Sequence, residues 1–189
     1  MKGTIKEGST QREGNTQRNM GSNSETVKLV LVGNTTPSTN PKGKTLRTAL
    51  ANIFTNGNQI VKRSVGGRSV DISLQDIGGQ ETQTNKLNTQ SYKDTDTFLL
   101  TFGYSSRTSF EGIKAWYSEA KRSAPNATLV LLGIKEKAGE KEAVSSQDVQ
   151  QLAKELHINT YAECSLDNPQ SIQKAFDKAI ELGTHNHQH

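Results

Sequence analysis

A single cysteine, Cys164, leaves no partner for an internal disulfide, so the fold must hold by its apolar core alone, as suits a reducing compartment. No run of about 18 apolar residues occurs, so no segment reads as a membrane-spanning helix. The N-terminus has no apolar core of a secretory signal. The C-terminal residues, from Gly183 to His189, contain no cysteine that could carry a prenyl group. Their three alternating histidines read as a frayed polar end rather than a metal site. Aromatic residues make up only 5% of the chain and never interleave with a basic block, which argues against a nucleic-acid surface despite a net charge of +4. Together these absences point to a cytoplasmic protein without a direct membrane anchor.

Apolar residues are also scarce, at 31%, and much of the deficit falls in the first 25 positions. Residues 1–25 are rich in Gly, Thr, Asn, Ser, Gln and charge, the composition of a disordered arm. An ordered domain is expected over 26–183, with a polar tail at 184–189. Val27 to Val32 is a nearly continuous apolar run, as a strand buried on both faces requires. Leu46, Ala49, Leu50 and Ile53 give Thr45 to Phe54 a helical period, stopped by Asn56-Gly57-Asn58. Two β-rich runs, 59–65 and 69–75, flank Gly66-Gly67-Arg68 as a hairpin. Strands are expected at 97–102, 128–132 and 160–162. Helices are expected at 106–123, 145–156 and 168–182, with a weaker pattern near 83–92. Such alternation predicts an α/β fold, a mainly parallel six-stranded sheet with helices on both faces.

Two short motifs carry chemistry. Gly43-Lys44-Thr45 stands between the first strand and the first helix, where backbone N–H groups and the helix dipole favour a phosphate. Lys44 would reach the β- and γ-phosphates, and the Thr45 hydroxyl would ligate Mg²⁺. The spacing is unusual. Nine residues (34–42) separate Gly33 from Gly43, where the common motif has four, and Pro41 brings no N–H to the cradle. The second motif, Asp76-Ile77-Gly78-Gly79-Gln80-Glu81, closes the hairpin. There Asp76 would hold the Mg²⁺ shell, the Gly79 N–H would approach a γ-phosphate, and Gln80 would position an attacking water.

Taken with this order, the chain resembles the Ras superfamily of small GTPases, with Rab-like and Rho-like features, from about Val27 to Gly183. Asp76 to Glu81 is similar to that family's Asp-Thr-Ala-Gly-Gln-Glu, and Leu129 to Gly133 resembles the strand before its guanine-recognition motif. Val144 to Leu156 resembles a Rab segment leading into a main helix, and Tyr161-Ala162-Glu163-Cys164-Ser165 its last nucleotide loop. The resemblance implies a P-loop NTPase three-layer sandwich that binds GTP or GDP with Mg²⁺. It also implies a monomer that meets effector and regulator proteins through the face formed by residues 59–90.

Three departures bear on activity. Ile134, Lys135, Glu136 and Lys137 stand where the family has Asn-Lys-x-Asp. Lys135 can pack on a base, but Lys137 has only donors and cannot accept from guanine. Glu136 is the nearest substitute acceptor. Two unpaired donors at about 1–3 kcal/mol each would weaken binding by about 10- to 10⁴-fold. In the last loop Ser165-Leu166-Asp167 replaces Ser-Ala-Lys; the Leu166 N–H remains, while Asp167 has no cationic stem. Finally, 31 residues (45–75) separate Lys44 from Asp76, fewer than the family norm, and Thr55 is the one threonine near the missing switch loop. The expected function is a guanine-nucleotide-binding interaction module in signalling or trafficking, with weak binding and low or no hydrolysis. The alternative is an active GTP-hydrolysing switch.

Overall fold

The computed structural model describes residues 24–77 and 89–188. The order of elements is β1 (Glu25–Val32), α1 (Leu46–Thr55), β2 (Ile60–Val65), β3 (Arg68–Asp76), α2 (Thr89–Tyr92), β4 (Thr97–Gly103), α3 (Arg107–Glu111), α4 (Ile113–Ser123), β5 (Thr128–Lys135), α5 (Ser146–Glu155), β6 (Tyr161–Ser165) and α6 (Pro169–His185), followed by a short 3₁₀ turn. Six strands form one sheet in the order β2-β3-β1-β4-β5-β6. All neighbours are parallel except the β2–β3 hairpin. This is the sheet expected from the alternation of patterns.

Each face of the sheet builds its own core, because side chains alternate along a strand. Val27, Leu29 and Leu31 of β1 pack with α1 and α6, while Val30 and Val32 pack with α4 and α5. On the first face Phe54 of α1 stacks on Phe176 of α6, with ring centroids 3.9 Å apart. On the second, Phe110, Trp116 and Leu152 cover β4 and β5. All seven residues of β4 are buried, as expected of a central parallel strand.

Two elements differ from the pattern. The helix expected over 106–123 divides at Gly112 into α3 and α4. A side chain at Gly112 would meet the Asn34 amide at 2.2 Å, and the same amide accepts a 2.9 Å hydrogen bond from the Trp116 indole. The break thus lets the loop after β1 dock on the helix. At the C-terminus, α6 runs on to His185 rather than ending near 182. Asn186 then donates to Asp96 O and Thr128 Oγ1, and His187 Nε2 lies 2.8 Å from Asp96 Oδ1. The chain after α6 is therefore tied to the starts of β4 and β5. Of the weak pattern near 83–92, helix is seen at 89–92, and residues 83–88 lie outside the described residues.

Candidate functional site

The strand order reverses at β1: the connection leaving β1 places α1 on one face of the sheet, while those leaving β3 and β4 place α2, and α3 with α4, on the other. In an open α/β sheet the crevice beyond the carboxyl ends at such a point is where ligands bind. Here the crevice is built from the loop 33–45, the start of α1, the end of β3, and the segments after β5 and β6.

The loop 33–45 folds on itself. Pro37 and Thr45 form an isolated antiparallel bridge, flanked by Ser38 N–H to Lys44 O and Leu46 N–H to Thr36 O, both 2.9 Å. Around Asn40 the chain turns: Gly43 N–H donates to Asn40 O at 3.2 Å, and Lys42 N–H to Asn40 Oδ1 at 2.9 Å. The turn lies against the side of α1. A Cβ on Gly43 would come within 2.4 Å of Ala49 N, so only glycine permits this approach. Lys44 is exposed. Thr45 is the N-cap of α1, its hydroxyl accepting from Thr48 N–H at 3.1 Å and donating to Thr48 Oγ1 at 3.0 Å.

Because α1 begins at Leu46, the side chains of its first turn that face Asp76 are Arg47 and Thr48. The Arg47 guanidinium donates from Nε to Asp76 Oδ1 and from Nη1 to Gly33 O at 2.7 Å. Thr48 Oγ1 donates to Asp76 Oδ2 at 2.8 Å. Both carboxylate oxygens of Asp76 are thus engaged. The Arg47 side chain is 6% exposed and that of Asp76 23%, so a buried guanidinium meets a carboxylate that reaches the surface.

On the other side of the crevice Lys135, Glu136 and Asp167 also have partners, while Glu140 Oε1, like Thr36 Oγ1 in the loop, is buried without one. Lys135 Nζ lies 2.7 Å from Glu142 Oε1, 3.4 Å from Glu163 Oε1 and 5.0 Å from the centre of the Tyr104 ring. The hydrogen bond to Glu142 raises the Lys135 pKa above the usual lysine value. Burial, then a hydrogen bond with Glu163, pushes the Tyr104 phenol up. Glu136 Oε1 accepts from Ser38 Oγ, Thr39 N–H and Thr39 Oγ1 at 2.9, 2.9 and 3.0 Å, latching the loop 33–45 to the end of β5. Leu166 N–H donates to Lys135 O at 2.9 Å. Ser165 Oγ donates to Asp167, whose carboxylate also accepts from Ala138 N–H at 3.2 and 3.3 Å; the Ser165 bond is the first cause of its lowered pKa. Thr55 ends α1 with its hydroxyl on Ala51 O at 2.8 Å. Only residues 56–59 join α1 to β2.

The Ras family model matches residues 46–184. The chain belongs to the Ras family. Its similarity to a curated relative, the Ras-like GTP-binding protein RhoL of Drosophila melanogaster, is 33% identity over 121 residues, or 62% of this chain and 63% of the relative's length. The chain therefore aligns with less than two thirds of that protein. The family match opens at Leu46, directly after Gly43-Lys44-Thr45, at the residue where α1 starts.

Ras-family proteins bind GTP or GDP with Mg²⁺, and the crevice can be tested for that cation. The donor set drawn from the sequence pairs the Thr45 hydroxyl with Asp76. Thr45 Oγ1 is turned onto Thr48, and Asp76 is neutralised by a guanidinium. With a fixed cation against the one carboxylate, these residues do not fit Mg²⁺ in this arrangement. Gly78, Gly79 and Gln80 lie outside the described residues.

Sequence reasoning brought Asp76 to the crevice but missed Arg47 and Thr48. A signal was available. Arg47 falls among Leu46, Ala49 and Leu50, the apolar face of α1, and a buried arginine requires an acidic partner. Asp76 is the acid at the end of the adjoining strand.

Proposed function

We propose that this Ras-family chain is an interaction module that binds a guanine nucleotide weakly and hydrolyses it slowly or not at all. The observation that carries this reading is that the crevice's Asp76 and Lys135 are bonded to neighbours within the chain. Arg47 and Thr48 hold Asp76, Glu142 and Glu163 hold Lys135, and Lys135 O receives the Leu166 N–H. A nucleotide must exchange these contacts for its own, and each buried donor or acceptor left unmatched costs about 1–3 kcal/mol. The short connection 56–59 supports low hydrolysis, since it brings no threonine-bearing loop across the crevice. Partner proteins would meet the face of residues 59–90, where β2 is the edge strand and Ile60 is 53% exposed. The protein would act as a cytoplasmic monomer in signalling or trafficking.

The second reading, an active GTP-hydrolysing switch with Gln80 as the water-positioning residue, is favoured by the description of the relative as GTP-binding. Titration of the purified chain with labelled GTP, GDP and ATP separates the two. Weak binding with turnover near the uncatalysed rate supports the module. Tight, guanine-selective binding with turnover supports the switch, and no binding of any nucleotide at millimolar concentration sinks both.

A further inference from the structure

The geometry points to Arg47 as a resident cation that takes the place of the divalent metal, so that this crevice excludes Mg²⁺ and any nucleotide binding in it is independent of Mg²⁺. The inference deepens the reading that a nucleotide binds here, but its central test does not need one. Three observations carry it. The Arg47 guanidinium is anchored at two points, on Asp76 and on Gly33 O at 2.7 Å, with its side chain 6% exposed. Thr48 Oγ1 takes the second carboxylate oxygen at 2.8 Å, so each oxygen already accepts a hydrogen bond and an ion would have to share it. The threonine that would complete a metal site, Thr45, is spent on capping α1.

A divalent ion reaching Asp76 would have to compete for its carboxylate with a buried guanidinium and sit beside that charge. An arginine displaced in that competition would be left as an unpaired buried charge, repelled by the incoming ion. The cost of breaking such a pair corresponds to at least about a hundredfold loss of metal affinity.

The test titrates the full-length chain with Mn²⁺ alone and follows the free ion by electron paramagnetic resonance. The wild-type chain is expected to show no site that depends on Asp76 up to about millimolar Mn²⁺. Arg47→Met, which keeps the volume and removes the charge, is expected to gain one site, at least about a hundredfold tighter, that Asp76→Asn removes again. Should Arg47→Met fail to fold by circular dichroism, Arg47→Gln takes its place. The Arg47 Nε–H resonance of the wild-type chain provides a measurement that needs no variant; it is expected to keep its position when Mg²⁺ is added. A wild-type Mn²⁺ site abolished by Asp76→Asn overturns the proposal. So does a folded Arg47 variant that gains no site, or an Nε–H signal that shifts with Mg²⁺. In a parallel arm, labelled GDP should bind equally with Mg²⁺ and with EDTA, and a tenfold loss in EDTA overturns the proposal. Absence of GDP binding in both conditions defeats the proposed function instead, leaving the metal result to stand by itself.

Discussion

Arg47 sets the character of the crevice at the residue scale. Burying a guanidinium is tolerable only while its partners remain, and Asp76 is its acidic partner. Asp76→Asn should therefore destabilise the fold by about 3 kcal/mol, the low end of the range for buried pairs because the carboxylate still touches water. Urea unfolding at neutral pH measures this, and an unchanged midpoint would show the pair to be energetically idle. Cys164 makes a second case. It lies buried in the core beneath α6, and burial pushes its thiol up to about 12. The thiolate is the reactive form, so the native chain should resist alkylation at pH 8 and label fully in urea. Rapid labelling of the folded chain would contradict that burial.

Among the elements, α5 shows how a helix start couples to pH. Ser145 accepts from Asp148 N–H at 3.1 Å, and Asp148 Oδ2 accepts from Ser145 N–H at 2.9 Å, a reciprocal capping box. The bond from Ser145 N–H is the first cause of the lowered Asp148 pKa. A carboxylate with a lowered folded pKa adds stability above its ordinary value and loses it as pH falls through the folded one. Ser145→Ala should cost about 0.5–2 kcal/mol at pH 7. The gap between wild type and Asp148→Asn should narrow from pH 6 to pH 3 in urea melts; a constant gap would mean that the carboxylate bond contributes nothing. The loop 33–45 behaves as an element too, though it contains no regular helix. Its bridge at Pro37 and Thr45 and its latch on Glu136 replace the regular hydrogen bonds that a phosphate cradle would leave open to its ligand.

For the whole molecule, the α1 and α6 layer joins the two ends of the domain across one sheet face. Phe176 is fully buried and stacked on Phe54. Phe176→Ala should cost about 3–5 kcal/mol by cavity formation, with a fall in Tm of about 2–4 °C for each kcal/mol at this domain size. A loss below about 1 kcal/mol would show that the layer collapses around the void. The same layer carries Arg47 on its inner face, so the crevice and the core share one helix. Small shifts of α1 would thus be felt at Asp76 as well as at Phe54.

Much of this architecture was legible in the residues themselves. Apolar runs for parallel strands, a period of 3.6 for helices, and Gly and Asn at the turns determine the type and order of the elements, since each is a local property of the chain. The same holds for Asp76 at the end of β3 and for Lys135 at the end of β5. The Gly112 break was not legible, because it depends on Asn34 arriving from another part of the chain. Nor was the role of the first helical turn. Gly43-Lys44-Thr45 reads from sequence as facing a phosphate; the structure adds that the loop before it bridges Pro37 to Thr45 and that Thr45 caps α1. A helix turns by about 100° per residue, so the position of its start decides which side chain meets which neighbour. The sequence by itself determined the Ras-type scaffold and its acid at Asp76. Only the tertiary structure decided that Arg47 and Thr48 would occupy that acid, because packing against β3 and α6 sets which way the helix faces.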